Sequence, residues 1–225
     1  MSQVLLVGIL LLSGVAAFGQ ATADEFFERG VLRQKSGDLA GAIADYTKAI
    51  EIDPNDTDSY NNRGNARKNK GDLAGALADF TAAIKIAPAR ATLYVNRGVV
   101  KMRLKDIDGA IMDYSRAIDY EPENASAFYN RGTARRDEGD LQGALDDLSR
   151  VIELNPKHAR ALANRGKLKT ELKNFNGAIL DLTQAIQIDG KVAEFYKARA
   201  AAYRAQKKDS LASVDEAKAA SLAGK

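Results

Sequence analysis

The chain has 225 residues, of which 45% are hydrophobic and 28% charged, the balance of an ordinary folded soluble chain. Its 33 basic and 30 acidic residues leave a net charge of +3, and no basic face interleaved with aromatics stands out, so there is no footprint for nucleic acid. Cysteine is absent and histidine occurs once, at His158, which excludes disulfides, thiolate metal sites, cysteine nucleophiles and cysteine-borne lipids, and leaves any His-carboxylate cluster or Ser-His-Asp triad resting on one ring.

The chain opens on an apolar run. Residues 4–12 read VLLVGILLL, the apolar character continues to Phe18, and no charged side chain precedes Asp24. A membrane span needs ~20 apolar residues, and this run is shorter. The small residues Ala16, Ala17, Gly19, Ala21 and Ala23 follow its core, the pattern of a secretory signal peptide, although no Lys or Arg accompanies Met1. Residues 1–21 are therefore expected to be a signal peptide, with export to the periplasm or beyond the cell. The alternative is an uncleaved membrane anchor over residues 4–18. Thr22 and Glu25 have the spacing of a capping box, which favours cleavage before Thr22 and starts the folded part, 22–225, at once.

From Ala23 onward the chain divides into six units, beginning at Ala23, Thr57, Ala91, Ala125, Ala159 and Ala193. Gly64, Gly98, Gly132 and Gly166 each follow Asn-Arg and lie 34 residues apart, as do Pro54, Pro88, Pro122 and Pro156. A fixed period of this length predicts a stacked solenoid, in which each unit hides its apolar faces against its neighbours. Each unit reads as two helices. In the second, helix A runs from about Thr57 to Lys70, Gly71-Asp72 makes the turn, and helix B runs from about Leu73 to Ile86, where Pro88 blocks continuation. Asp38, Asp72, Asp106 and Asp140 read as N-caps of helix B, which accounts for carboxylates that could otherwise be taken for acid–base pairs. His158, just after Pro156, reads as an exposed loop side chain.

The packing follows from side-chain size. Gly64 and Ala76 let the two helices of a unit approach closely, and Ala83 does so towards the next unit. Tyr60, Leu73, Leu77, Phe80, Ile84 and Ile86 fill what remains, and Tyr94, Ile107, Ile111, Tyr114, Ile118 and Tyr120 repeat the set. Aromatics at this spacing are core rather than a cofactor box.

Tyr60, Gly64, Ala76, Phe80, Ala83 and Pro88, recurring in phase, resemble the pattern of the tetratricopeptide repeat. The resemblance covers Ala23 to the C-terminus. It implies an all-α fold, an α-solenoid of six helix-turn-helix repeats wound as a right-handed superhelix, with helix A lining the inner face. It also implies a non-enzymatic module that binds a protein or peptide. Two departures recur in every unit. Where the family usually has Leu before the glycine, this chain has Arg29, Arg63, Arg97, Arg131, Arg165 and Arg199; sixteen residues after each stands Asp45, Asp79, Asp113, Asp147, Asp181 or Asp215. Each Arg is expected to pair with its Asp across the hairpin. A second base, Arg33, Arg67, Lys101, Arg135 or Lys169, follows one turn later, with Tyr203 in the last unit. The alternative is that the Arg column binds ligand phosphate or carboxylate. In the last unit Ser213, Glu216 and Ala220 replace apolar side chains, which predicts a cap, and Gly190 in place of the usual proline predicts a looser joint before it.

No catalytic constellation and no Gly-rich phosphate loop is legible, and no enzyme activity, cofactor, metal or small-molecule substrate is expected. Function is sought on the inner face. Asn62, Asn96, Asn130 and Asn164 form a column, one per unit, with Glu28 and Ala198 in the end units. An Asn amide offers donors and an acceptor that match a peptide backbone. The column resembles the asparagine ladder of the tetratricopeptide segment of O-linked N-acetylglucosamine transferase, which implies a grip on extended peptides. Neighbouring inner-face positions include Asn65, Lys68, Arg103, Tyr129, Arg136, Arg160, Lys167 and Arg204, with the acids Asp24, Glu28, Asp58, Asp137 and Glu171 among them. The tilt runs from acidic in the first units to basic from the third, which favours a ligand with acidic residues near one end. The carboxylate clamp of the chaperone-binding members is not matched: Phe27, Val31, Asn62, Thr92 and Asn96 stand at its positions. The rival readings are a structural array that assembles through its outer face, with the Asn column inert, and a membrane-anchored adaptor that keeps residues 4–18.

Overall fold

The computed structural model describes residues 21–224. The expectations about a signal peptide or anchor fall on residues 1–20 and so lie outside the described residues. The described residues form twelve helices and no strand: α1 (Ala23–Lys35), α2 (Leu39–Ile52), α3 (Thr57–Lys70), α4 (Leu73–Ile86), α5 (Ala91–Arg103), α6 (Ile107–Tyr120), α7 (Ala125–Glu138), α8 (Leu141–Leu154), α9 (Ala159–Glu171), α10 (Phe175–Ile188), α11 (Ala193–Ala205) and α12 (Asp209–Ala223). None of them is long and apolar enough to cross a membrane. Odd-numbered helices are helix A and even-numbered ones helix B of six consecutive hairpins.

The ends of these helices are set by local chemistry. Thr22 closes a complete capping box: its Oγ1 accepts from the Glu25 amide at 3.2 Å, and its own amide donates to Glu25 Oε2 at 2.8 Å. Asp38, Asp72, Asp106 and Asp140 cap helix B by accepting from the amides of Gly41, Gly75, Gly109 and Gly143, and Asn174 does the same in the fifth unit. The turn between the helices needs a left-handed residue. Gly71 supplies it at φ 92° in the second unit, whereas Lys105, Lys173 and Lys207 hold it at φ 65°, 61° and 57°. His158 is not a free loop residue. It is half-buried as the N-cap of α9, its Nδ1 accepts from the Ala161 amide at 3.1 Å, and its ring stacks on Tyr129 with centroids 5.1 Å apart.

Packing proceeds by layers that straddle the unit boundaries. Ala76 and Phe80 of one unit bury Val100 of the next; Ala110 and Tyr114 bury Ala134; Ala144 and Leu148 bury Leu168; Ala178 and Leu182 bury Ala202. Close approach within a hairpin requires glycine: a Cβ on Gly98 would lie 2.6 Å from the Tyr114 ring. Ile86 and Tyr120 are not core, with 36% and 44% of their surface exposed. They end helix B beside the connecting loop, past the reach of the following helix A; Tyr120 instead packs its ring on Tyr94 at 5.7 Å.

Each helix A packs on its own helix B and on the helix B before it. The A helices also meet one another across the boundaries, α1 with α3, α3 with α5, α5 with α7 and α9 with α11, while neighbouring B helices stay further apart. Helix A therefore lines the hollow side of the stack. In the last unit Ser213, Glu216 and Ala220 are exposed. The joint at Gly190 is not loose. Tyr196 donates its hydroxyl to the Gly190 carbonyl at 3.2 Å, as Tyr94 does to Pro88 at 2.8 Å, and Phe195 and Ala198 seat on Leu162, Leu182 and Ala185.

Candidate functional site

The Arg column belongs to the scaffold. In all six hairpins the guanidinium forks onto its Asp: in the third unit Arg97 Nε reaches Asp113 Oδ2 at 2.9 Å and Nη2 reaches Oδ1 at 2.7 Å. The pairs Arg29–Asp45, Arg63–Asp79, Arg131–Asp147, Arg165–Asp181 and Arg199–Asp215 repeat it. Every one of these Asp side chains is buried. Arg33, Arg67, Lys101, Arg135 and Lys169 add a second cation to the same carboxylate at 2.8 to 3.0 Å. Hydrogen bonds from Arg29 hold the Asp45 carboxyl below the usual carboxylate range, and the bond to Asp113 raises Arg97 further above its own.

A third contact had not been anticipated. Nη1 of Arg63, Arg97, Arg131, Arg165 and Arg199 donates to Thr47, Thr81, Ser115, Ser149 and Thr183, on helix B of the preceding unit. Those hydroxyls recur at the same interval as the arginines, so the signal was present. With its fork and its extra oxygen each of these guanidinium groups is committed to holding units together rather than to an external anion, and all but Arg165 also lie over an aromatic ring, as Arg97 does over Tyr94 at 5.7 Å.

The Asn column is different. Asn62, Asn96, Asn130 and Asn164 are all half-buried on helix A, the side that lines the hollow. Two of them bridge units: Asn96 Nδ2 donates to Asn61 Oδ1 at 2.9 Å, and Asn164 Nδ2 to the Tyr129 hydroxyl at 3.0 Å. Their own Oδ1 atoms remain as acceptors. Asn62 borders a recess of about 110 Å³ with Val31, Gln34 and Tyr46. Asn164 borders one of about 250 Å³ with Tyr129, Arg160, Lys167, Val192 and Phe195.

The other predicted residues fall into groups. Asn65, Lys68 and Arg103 come together: Lys68 Nζ donates to Asn65 Oδ1 at 2.8 Å, and Arg103 Nη1 to the Lys68 carbonyl at 3.2 Å. Lys167 pairs with Glu194 of the next unit at 2.9 Å. Arg136 turns to its neighbour Asp137 at 3.0 Å and joins neither group. Arg204 is drawn to the outer cap by Glu216 and Asp209, both at 2.9 Å, so it belongs to the last hairpin's own structure. Phe195, Val192 and Asn61 were not anticipated here, because their role depends on which neighbour they face. Among the described residues no group of three or more His, Asp and Glu could hold a metal ion.

Family models for the tetratricopeptide repeat match residues 57–90, 125–158 and 159–192, and a related repeat model matches 30–71 and 100–135. No curated protein matches the sequence. Among solved structures, MamA superposes with a TM-score of 0.67 at 24% identity, over 74% of this chain and 91% of that one. The pilF protein of Pseudomonas aeruginosa gives 0.76 at 17%, over 86% and 88%. YrrB, described as a TPR protein with an unusual peptide-binding site, gives 0.64 at 26%, over 82% and 92%. The repeat models take in the greater part of the chain and the solved likenesses share its hairpin stack, so the chain belongs to the tetratricopeptide repeat family, whose repeats generally serve as scaffolds for protein–protein interaction.

Proposed function

We propose that the chain is an exported scaffold that holds an extended segment of a partner protein along its helix A face, with Asn62, Asn96, Asn130 and Asn164 contacting the peptide backbone. The observation that carries this is the contrast between two adjacent columns. The arginines spend their donors inside the stack, while the neighbouring amides stay half-exposed on the hollow side with acceptor oxygens to spare. Recesses beside Asn62 and Asn164 leave room for ligand side chains, and the aromatic and aliphatic walls of the second suit an apolar one. The likeness to YrrB, whose description names a peptide-binding site, supports the same use of the fold.

Affinity capture from the native envelope fraction tests this. Partner capture should be lost in the Asn96→Ala, Asn130→Ala double variant with the helical circular dichroism unchanged; undiminished capture would remove the groove reading. N-terminal sequencing of the mature protein should begin at Thr22, and an intact Met1 would replace export and cleavage with an anchored chain.

A second reading rests on the outer side. Met112, Leu180 and Val214 occupy one position of helix B in their units and are about two-thirds exposed, at 65%, 68% and 66%. If the array assembles through that face, Met112→Ser with Leu180→Ser abolishes complex formation while the Asn variants do not.

A further inference from the structure

We propose that Lys68 and Arg103 form a subsite for a carboxylate side chain of the bound peptide, so that the partner segment is acidic where it crosses from the second unit to the third. The inference rests on the groove reading above. It starts from how most of the bases along helix A are neutralised; Lys35, Lys70, Arg160 and Lys197 also stand without an ion pair among the described residues, but no second cation meets them in a hydrogen-bonded cluster. Arg67, Lys101, Arg135 and Lys169 each have an Asp of the buried column, Arg136 has Asp137, Lys167 has Glu194, and Arg90 reaches back to Asp58. At the junction of α3 and α5 two cations meet without that. Lys68 donates to a neutral amide oxygen, Asn65 Oδ1, at 2.8 Å, and Arg103 donates to a neutral backbone carbonyl, that of Lys68, at 3.2 Å. Neither forms an ion pair among the described residues. Burial and the nearby Arg103 charge push the Lys68 ammonium below the ordinary lysine range, so this junction carries an unfavourable excess of positive charge that an anion relieves.

The placement matches the ladder. Lys68 lies one turn beyond Asn65 and Asn65 three residues beyond Asn62 on α3, and Arg103 lies two turns beyond Asn96 on α5. Arg103 therefore shares the face of Asn96, while Lys68 lies about 120° round α3 from Asn62, turned to the junction with α5 where Arg103 reaches its carbonyl. After the bonds already made, Lys68 keeps two ammonium hydrogens and Arg103 four guanidinium hydrogens, enough to receive both oxygens of a carboxylate. The clamp positions of the chaperone-binding members are elsewhere on these helices, so this pair is a separate arrangement.

The test uses two end-blocked Gly-Ser peptides, one with a central Asp-Glu-Asp run and one with Asn-Gln-Asn, titrated into the isotope-labelled protein by nuclear magnetic resonance. The acidic peptide should bind roughly tenfold more tightly, the worth of a charge-assisted hydrogen bond, and should shift the Lys68 and Arg103 side-chain signals saturably. Lys68→Gln and Arg103→Gln, each made separately at half-buried or exposed positions, should each erase that preference. Lys85→Gln, at an exposed lysine of α4, should keep it. Equal affinities for the two peptides, or a preference that survives both substitutions, would overturn the subsite. If both peptides bind equally and both are lost in the Asn96→Ala, Asn130→Ala variant, the subsite fails and the groove reading stands. If neither peptide binds, both readings fall.

Discussion

Asp113 accepts from Arg97 and from Lys101 while 3% of its surface reaches solvent. Replacing it by Ala leaves two half-buried cations facing each other, and removing one partner of a buried pair costs about 3–5 kcal/mol. The Asp113→Ala variant should therefore show a denaturant midpoint far below the parent with an unchanged slope. Asp45→Ala should cost less, because the Arg29 and Arg33 side chains it would strand are already 51% and 40% exposed. Equal losses at the two sites, or no loss at Asp113, would refute the pairing as a source of stability. A buried ion pair seldom outdoes an apolar one of the same volume, so the advantage of the column lies in direction. From Arg63 onward each guanidinium can be satisfied only when its own hairpin and the preceding hydroxyl are both in register. The Arg and Asp columns were legible because they recur together in every unit. The hydroxyl column recurs in five units, with Ala217 in the last, but which turn of the preceding helix comes within reach is set by the stacking of units, which no local pattern encodes.

At the scale of the element, the helices of the second unit fall where the Gly-Asp turn and the proline put them, Thr57–Lys70 and Leu73–Ile86. Such punctuation acts within a few residues, so it reads directly from the chain. Ile86 and Tyr120 were misplaced because periodicity says which side of a helix is apolar and not how far along it the neighbour extends. His158 reads from the sequence as an exposed loop side chain because the residues that ordinarily mark an N-cap are Ser, Thr, Asp and Asn, whereas here a ring nitrogen does the capping. The turns carry a prediction of their own. Gly37, Gly71 and Gly139 take the left-handed conformation freely, and Lys105 takes it at φ 65° with a Cβ, which costs about 1–2 kcal/mol. Lys105→Gly removes that strain and adds about 0.5–1 kcal/mol of unfolded-chain entropy. A net gain of about 0.5 kcal/mol should follow, seen as a small rise in melting temperature, whereas Gly71→Ala should lower it. A fall for Lys105→Gly would mean that the lysine stem stabilises the turn by more than the strain it suffers.

The whole molecule is a one-dimensional stack, so its ends are the places where the packing rule changes. Between units, an apolar position on one helix B always meets a buried position on the next helix A, as Leu182 meets Ala202. At the last helix the same three positions hold Ser213, Glu216 and Ala220, where the fifth unit has Ile179, Leu182 and Ile186. The difference suits a helix B face left in water. It can be moved. A chain ended before Ala193 uncovers Ala178, Leu182 and Ala185, all fully buried against Phe195, Ala198 and Ala202 in the whole protein. That chain should self-associate, because a contiguous apolar end face in water seeks a partner. Writing the cap onto it, with Ile179→Ser, Leu182→Glu and Ile186→Ala, should return a monomer. Leu182→Glu is tolerable there because Glu216 holds the equivalent position in the last unit without loss of its hairpin, in which Arg199 still grips Asp215 at 2.8 Å. Light scattering after size exclusion decides the matter: a truncated chain that stays monomeric without the three replacements would show that end-face polarity is not what limits the array.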